Sequence, residues 1–281
     1  MNIEKRSIVI LFVFFLSCGK SIKTVTKVEN MYSKIKKELA PDKRTELFDI
    51  QFHLLNGAII LKGETTSKKA LLRLQDSLKY SQVNFKSEVR ILPDSSLENR
   101  PFAIAKNSVI NIRSNPKHSA ELGTQGLLGM ALRVLDKKGD FYRIQTPDNY
   151  ISWVDKGGIQ RMNKRDFDLW NASKKVLFTN NVGQVFASKK KNSTIISDIT
   201  LGGVLKYVSE DASFYKVTYP DNRTGFIKKN EAIIYGSWLK NLKSTPENIE
   251  VIAKKMNGFP YLWGGTSTKG MDCSGFTKMV Y

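Results

Sequence analysis

The chain has 281 residues, of which 41% are hydrophobic and 10% aromatic, a globular composition that excludes a largely disordered protein. A chain of this length is expected to contain about two to four modules. The formal net charge of +19 favours anionic partners such as lipid headgroups or cell-wall polymers, although a generally lysine-rich surface is an equal alternative. The lysines are scattered and no nucleic-acid-binding motif is present, so nucleic acid is not predicted as a partner.

The first residues have the pattern of an export signal. Basic residues precede nine apolar residues from Ile8 to Leu16, too few to cross a hydrocarbon core that takes about 20. The letters FLSC resemble a lipoprotein signal, in which the cysteine, here Cys18, is acylated after cleavage. We therefore predict a signal peptide over residues 1–17 and export to the cell envelope, facing the periplasm. The protein would be held on a membrane by lipid on Cys18; a non-lipidated signal with an incidental cysteine is the alternative. The polar, lysine-rich residues 18–45 predict a tether with at most a short helix.

The stretch over residues 46–94 has the pattern of a small α+β module. Apolar and polar residues alternate at its start, which indicates a strand, and Asn56-Gly57 is a strong hairpin signal. A helix capped by Ser67 and a third strand complete a ββαβ order. We interpret His53, in the first strand, as structural rather than as a ligand.

Two later stretches, residues 101–161 and 176–236, repeat one order of short strands and polar turns, which predicts two small barrels. The repeat is clearest between the segments DFYRIQTPDNYISWV and SFYKVTYPDNRTGFI. Both stretches resemble the bacterial SH3-like domain, whose members often bind cell-wall peptides or pack against a catalytic domain. The expected fold class of the whole chain is therefore α+β.

The last segment, residues 245–281, contains two helix starts. Thr245 is followed by proline and glutamate, a typical cap and first turn, and Asp272 is placed to cap a second helix. Cys273 then falls in that helix's first turn, where unpaired N–H groups and the positive end of the helix dipole stabilise a thiolate. A thiolate is a strong nucleophile, and the N–H of Cys273 could also stabilise an oxyanion.

Cys273 also stands out because the chain has only one other cysteine, Cys18. If Cys18 carries lipid, Cys273 has no disulfide partner, and an unpaired thiol in an oxidising compartment needs a chemical reason. Nucleophilic catalysis is the leading reason, and the residues alone leave a buried structural thiol open.

Two expectations concern the surroundings of Cys273. Gly264, Gly265 and Gly275 are expected to let a substrate backbone approach closely. Phe276, Met279 and Val280 are expected to pack inward, because they lie on one face of the second helix.

The segment GFPYLWGGTSTKGMDCSGFTKMVY closely resembles the opening of the NlpC-type peptidases, papain-like cysteine enzymes that cut peptidoglycan stem peptides. The resemblance implies that Cys273 is the nucleophile and that Tyr261 lines the site near the attacked carbonyl. It also implies that Asp272 and Ser274 contact the N-terminal part of the substrate.

Relatives with SH3-like modules cleave γ-D-glutamyl-diamino acid bonds in peptides with a free N-terminal L-alanine. In them, a glutamate and a tyrosine of the SH3-like module close the site around that amine. Glu121 and Tyr150 are the nearest matches here. A solvated glutamate and a core tyrosine are the alternatives.

The catalytic base is the feature that departs from this family. Papain-like chemistry uses a histidine downstream of the cysteine and a third polar residue, whereas His53 and His118, the sequence's two histidines, precede Cys273. We therefore expect a C-terminally truncated piece that is inactive by itself. The predicted function is a cell-envelope cysteine peptidase acting on peptidoglycan stem peptides or muropeptides, with no metal or cofactor. A non-catalytic wall-binding SH3-like lipoprotein and a papain-like amidase are the alternatives.

Overall fold

The computed structural model describes the backbone of residues 14–281 and the side chains of residues 24–281. Most of the predicted signal peptide over residues 1–17 lies outside the described residues, as does the side chain of Cys18. The chain divides into two compact units, Met1–Leu92 and Pro93–Tyr281. No helix within the described part of the chain has the length and apolar character needed to span a membrane.

The first unit consists of a helix followed by a ββαβ arrangement. Its elements are α1 (Phe14–Leu39), β1 (Phe48–Leu55), β2 (Ala58–Thr65), α2 (Lys68–Tyr80) and β3 (Phe85–Ile91). The sheet order is β1-β2-β3, with β1 antiparallel to β2 and β3 parallel to β2. The hairpin turns at Asn56 and Gly57, both at positive φ, and the side chain of Ser67 caps α2 by accepting a hydrogen bond from the N–H of Ala70.

The tether predicted over residues 18–45 is wrong, because α1 runs through most of it and packs on the core of the first unit. Val28 is fully buried and Ile35 nearly so, in one cluster with Phe48 and Leu74. The hydroxyl of Tyr32 donates a hydrogen bond to the carbonyl oxygen of Phe48 at 2.7 Å. The lysines that suggested a tether lie on the solvent-facing side of an amphipathic helix.

The second unit contains two barrel-like sheets of seven strands each. The first has β4 (Phe102–Ala105), β5 (Val109–Arg113), β6 (Leu122–Leu127), β7 (Ala131–Lys138), β8 (Phe141–Gln145), β9 (Ile151–Asp155) and β10 (Ile159–Met162). Helix α3 (Lys164–Ala172) leads to the second, with β11 (Lys175–Phe178), β12 (Val182–Phe186), β13 (Ile195–Thr200), β14 (Val204–Glu210), β15 (Phe214–Thr218), β16 (Thr224–Lys228) and β17 (Ala232–Ile234).

The two sheets have the same strand order, β10-β4-β7-β8-β9-β5-β6 in the first barrel and β17-β11-β14-β15-β16-β12-β13 in the second. Equivalent turns also share their backbone conformation. Asn149 and Asn222, in the repeated Pro-Asp-Asn turn, lie at φ 66° and 68°, a left-handed conformation that asparagine tolerates well. The internal repeat read from the sequence is thus matched by the strand order.

The two barrels meet along a shared seam. Leu128 of the first barrel is buried in the apolar core of the second, and its carbonyl oxygen accepts a hydrogen bond from the N–H of Val204 at 2.9 Å. Gly129 lies at φ +85°, and a Cβ there would stand 2.2 Å from the carbonyl oxygen of Val204. The close approach of the barrels therefore requires glycine at this position.

The C-terminal segment completes the second unit with α4 (Tyr235–Asn241), α5 (Pro246–Lys255), the short hairpin β18 (Thr266–Ser267) and β19 (Gly270–Met271), and α6 (Cys273–Val280). Both predicted helix starts are confirmed: Thr245 caps α5 and Asp272 caps α6. The α+β fold class is also confirmed, with two barrel-like sheets accompanied by helices.

Candidate active site

Cys273 is the first residue of α6, and its thiol is free and exposed. The helix starts here because one oxygen of the Asp272 carboxylate accepts hydrogen bonds from the N–H of Gly275 and the hydroxyl of Ser274, each at 2.7 Å. The sulfur therefore lies in the first turn of a capped helix, where the peptide dipoles favour negative charge. The buried structural thiol is excluded by this exposure.

Asp272 also connects the helix start to the preceding loop. Its second carboxylate oxygen accepts a hydrogen bond from the N–H of Gly264 at 3.0 Å, and its own N–H donates to the carbonyl oxygen of Gly265 at 3.2 Å. Burial alone would raise the pKa of Asp272, but hydrogen bonds from Ser274, Gly275 and Gly264 outweigh it and hold the pKa below its ordinary value. Asp272 thus acts as an internal link, in addition to the substrate contact that the family resemblance implies.

The three glycines near Cys273 serve packing within the protein. A Cβ on Gly275 would stand 1.9 Å from the carbonyl oxygen of Gly265, and one on Gly264 would stand 2.3 Å from that of Leu122. A Cβ on Gly265 would meet the carbonyl oxygen of Gly270 at 2.4 Å. The expectation that these glycines make room for a substrate backbone is therefore wrong, since the protein's own backbone occupies that space.

The apolar face of α6 also differs from expectation. Val280 is buried, but Phe276 is 39% exposed, and the inward position of the first turn is taken by Gly275. The expectation that Phe276 packs inward is therefore wrong, since Gly275 is the residue of this turn that packs against the loop. Tyr261, 68% exposed, lies on that loop and pairs through its backbone with Met271.

The structure brings Glu121 next to the loop that precedes Cys273, and Tyr150 next to strand β6. The indole N–H of Trp263 donates a hydrogen bond to the carboxylate of Glu121 at 2.8 Å, and Glu121 is exposed. The hydroxyl of half-buried Tyr150 lies over Gly123, where a Cβ would approach it to 2.6 Å. Glu121 and Tyr150 therefore flank the same start of strand β6, on which Gly264 also packs.

A second link joins α6 to the first barrel. The ammonium group of Lys278 donates a hydrogen bond to the carboxylate of Asp148 at 2.7 Å, in the turn that precedes Tyr150. Burial would raise the pKa of Asp148, but hydrogen bonds from Lys278 and Thr146 hold it below its ordinary value. This pair fixes the helix that carries Cys273 beside the turn that carries Tyr150.

The hairpin β18–β19 docks on the first barrel through polar groups that sequence reasoning missed. The N–H and hydroxyl of Thr266 bond to the side chain and backbone of Gln125, each at 3.0 Å. The hydroxyl of Ser267 donates to the Gln125 side chain at 2.9 Å, and all three residues are buried. A short polar run between glycines has the pattern of an exposed turn, and only its docking reveals that it is buried.

The two histidines of the sequence belong to different units. His53 belongs to the first unit, whereas the His118 side chain is 77% exposed, lies 3.6 Å from the carboxylate of Asp155 and contacts the ring of Phe141. Over the part of the chain that the structure describes, no group of His, Cys, Asp and Glu side chains is arranged to hold a metal ion.

Comparison with known families identifies two segments of the chain. Residues 112–159 match the family described as "Bacterial dipeptidyl-peptidase Sh3 domain", and residues 258–281 match the NlpC/P60 family. The chain is 32% identical over 171 residues to the gamma-D-glutamyl-L-lysine dipeptidyl-peptidase of Bacillus cereus, which covers 57% of this chain and 50% of that protein. It is 23% identical over 166 residues to the protein of the same name from Bacillus subtilis, covering 56% and 52%.

The fold is similar to the crystal structure of an NlpC/P60 family protein from Bacillus cereus. The TM-score is 0.56 at 24% identity, and the match covers 64% of this chain and 71% of that one. The chain spans about half the length of the two dipeptidyl-peptidases that it matches.

Replacing Asp272 tests the link between cap and loop. Asp272→Ala should lower the free energy of unfolding by about 1–2 kcal/mol, and Asp272→Asn, which keeps an acceptor for the cap, should cost less. Because the folded-state pKa of Asp272 is lowered, its stabilisation is present at neutral pH and lost as the pH falls through that value. Urea unfolding from neutral to acid pH should therefore show a shallower acid loss in Asp272→Ala than in the wild type.

Ser67→Ala is the matched control, since it removes the cap of α2 without touching the loop. It should leave the acid dependence unchanged. An Asp272→Ala protein with the wild-type dependence would contradict the assignment.

Proposed function

We propose that this protein, which combines a bacterial SH3 domain with a segment of the NlpC/P60 family, is a cysteine peptidase of the cell envelope. It hydrolyses peptidoglycan stem peptides through the thiolate of Cys273. The observation that carries the proposal is the exposed thiol at the first position of a capped helix, joined through Asp272 and Gly264 to the barrel strand beside Glu121.

The proposed reaction is a two-step hydrolysis of the bond between the γ-carboxyl of D-glutamate and the amine of a diamino acid. The sulfur of Cys273 attacks the carbonyl carbon, and the carbon–nitrogen bond then breaks as the amine leaves with a proton from a general acid. Water hydrolyses the resulting thioester, which releases the γ-carboxylate and regenerates the thiol. The N–H of Cys273 stabilises the oxyanion, and Tyr261 lines the site near the attacked carbonyl.

We do not assign the general acid to either histidine of the sequence. Both histidines precede Cys273 in the sequence, whereas the base of papain-like enzymes follows the cysteine. The activity is tested with the intact gene product.

The substrate's free N-terminal amine is proposed to bind between Glu121 and Tyr150. An exposed carboxylate held by the indole of Trp263 is already oriented toward the loop before Cys273, and a carboxylate is the natural partner of an ammonium group. Asp272 and Ser274, on either side of Cys273, would contact the same part of the peptide. The names of the two Bacillus relatives, gamma-D-glutamyl-L-lysine dipeptidyl-peptidase, support a γ-D-glutamyl peptide as substrate.

Replacing the nucleophile gives the first test. With L-Ala-γ-D-Glu-L-Lys as substrate, Cys273→Ala should abolish cleavage and Cys273→Ser should nearly do so, because a hydroxyl is a far weaker nucleophile. Chromatography of the products measures the rate, and thermal unfolding should show that both variants remain folded.

The two alternative functions give different results. Wall binding by a wild type that cleaves no muropeptide would favour the non-catalytic binder. Cleavage between the sugar and L-alanine would favour the amidase.

Glu121→Gln tests amine recognition. Loss of the charge-assisted hydrogen bond should lower kcat/KM for the free tripeptide by about 10- to 100-fold. The rate on the N-acetylated tripeptide, which carries no ammonium group, should stay the same. Glu98→Gln, an exposed glutamate paired with Arg100, is the control. Equal selectivity in Glu121→Gln and wild type would remove Glu121 from the site.

Lipid attachment at Cys18 is proposed from the sequence signal. A lipid anchor would keep the enzyme beside the wall that it cuts, because several acyl chains bind a membrane far more firmly than one. Cys18→Ser should move the protein from the membrane fraction to the soluble fraction after cell lysis and abolish incorporation of labelled fatty acid. Full retention of an unlabelled Cys18→Ser protein would overturn the anchor.

A further inference from the structure

We infer that Lys269 is a positioning residue for the nucleophile, Cys273. Through Lys269, the second barrel holds the hairpin β18–β19 in place, and we call this set of contacts the bracket. The inference rests on the proposed function of Cys273. It assigns to the second barrel a role inside the enzyme, in place of an independent wall-binding role.

Lys269 lies at the tip of the hairpin β18–β19 and reaches both barrels at once. Its ammonium nitrogen lies 2.6 Å from the carboxylate of Asp198, on β13 of the second barrel, and 2.8 Å from the hydroxyl of Ser108 in the first. Ser108 also donates to Asp198 at 2.9 Å and is buried. The three side chains form a closed triangle at the point where the barrels and the hairpin meet.

The neighbouring residues divide their contacts between the barrels in the same way. Thr266 and Ser267 bond to Gln125 of the first barrel. The hydroxyl of Thr268 donates to the carbonyl oxygen of Asn181 in the second barrel. The Asn181 side chain in turn donates to the carbonyl oxygen of Lys255, at the end of α5, at 3.1 Å. Four consecutive residues, 266–269, are thus held from two sides.

The hairpin is directly continuous with the nucleophile. Strand β19 follows Lys269, and the next two residues are Asp272 and Cys273. A shift of the hairpin tip would therefore move the cap of α6 and the sulfur with it. Small displacements matter in catalysis, because an error of about 1 Å in a reacting group costs up to about 100-fold in rate.

The Asp198 carboxylate is charged at neutral pH, but its ion pair with Lys269 contributes little to global stability. Burial would raise the pKa of Asp198, while hydrogen bonds from Lys269 and Ser108 outweigh it and lower the pKa. The side chains of Lys269 and Asp198 are 44% and 54% exposed, and such pairs stabilise a fold weakly. If Lys269 acts by holding the hairpin in position, replacing it should lower the catalytic rate more than it lowers the melting temperature.

The test compares Lys269→Met, which keeps the length of the side chain and removes its charge, with Lys229→Met. The control removes an equally short ion pair, Lys229 with Glu210, from the same barrel and away from the hairpin. Lys269→Met should lower kcat on the γ-D-glutamyl tripeptide by about 10-fold, with KM changed by less than about 2-fold and little change in Tm. Lys229→Met should leave kcat unchanged.

Rescue by charge reversal separates positioning from simple loss of structure. Asp198→Lys and Lys269→Asp should each lower kcat, and the double variant should recover a large part of it, because the pair is restored with opposite orientation. A double variant no better than the worse single variant, or a Lys269→Met protein with wild-type kcat, would overturn the inference.

Amide hydrogen exchange reports how firmly the bracket holds the hairpin, and this measurement does not depend on catalytic activity. In Lys269→Met, the amides of residues 266–272 should exchange faster than in wild type and in Lys229→Met. Unchanged exchange would overturn the inference even if the enzyme is active. Faster exchange in a protein whose wild type cleaves no muropeptide would support the bracket and refute the proposed function, so the two failures are distinguishable.

Discussion

The carboxylate of Asp272 is the interaction on which the arrangement of the second unit's C-terminal segment depends. One oxygen starts helix α6, and the other holds the loop at Gly264. Since Cys273 follows directly, its position in the first turn of α6 is set by the same side chain. The loop then packs on Leu122 through a glycine that tolerates no side chain. A single carboxylate therefore joins the nucleophile to the first barrel.

The two barrels share one strand order but contribute differently to this segment. The first supplies Glu121, which binds the loop, and Gln125, which binds the hairpin. The second supplies backbone and carboxylate acceptors, chiefly Asn181 and Asp198. A duplicated module can diverge in this way because its strand order is maintained by the buried core, while the turns and outer strand residues are free to take up new contacts.

Two of the chain's lysines form ion pairs where the C-terminal segment meets the barrels. Lys269 and Lys278, at the two ends of the segment around Cys273, pair with aspartates of the second and first barrels respectively. Each pair is partly exposed and worth little as stabilisation by itself. Their common effect is geometric, since they restrain the hairpin and the helix at points on opposite sides of the nucleophile.

The features that depend on neighbouring residues could be predicted from the sequence. The caps at Thr245 and Asp272, the turn at Asn56-Gly57 and the repeated strand pattern follow from local hydrogen bonding and sterics, so short stretches suffice to predict them. The motif around Cys273 likewise occupies one continuous segment.

The contacts between distant surfaces became visible only in the folded structure. It placed Trp263 on Glu121, buried the polar residues around Gln125, filled the space beside Gly275 with backbone and packed α1 onto a core. These contacts join residues that are far apart in the chain. The residues next to them in the sequence are polar or exposed and give no sign of the distant contact. The free energy of each contact depends on shape and polarity supplied by the distant partner, which no short stretch of sequence contains.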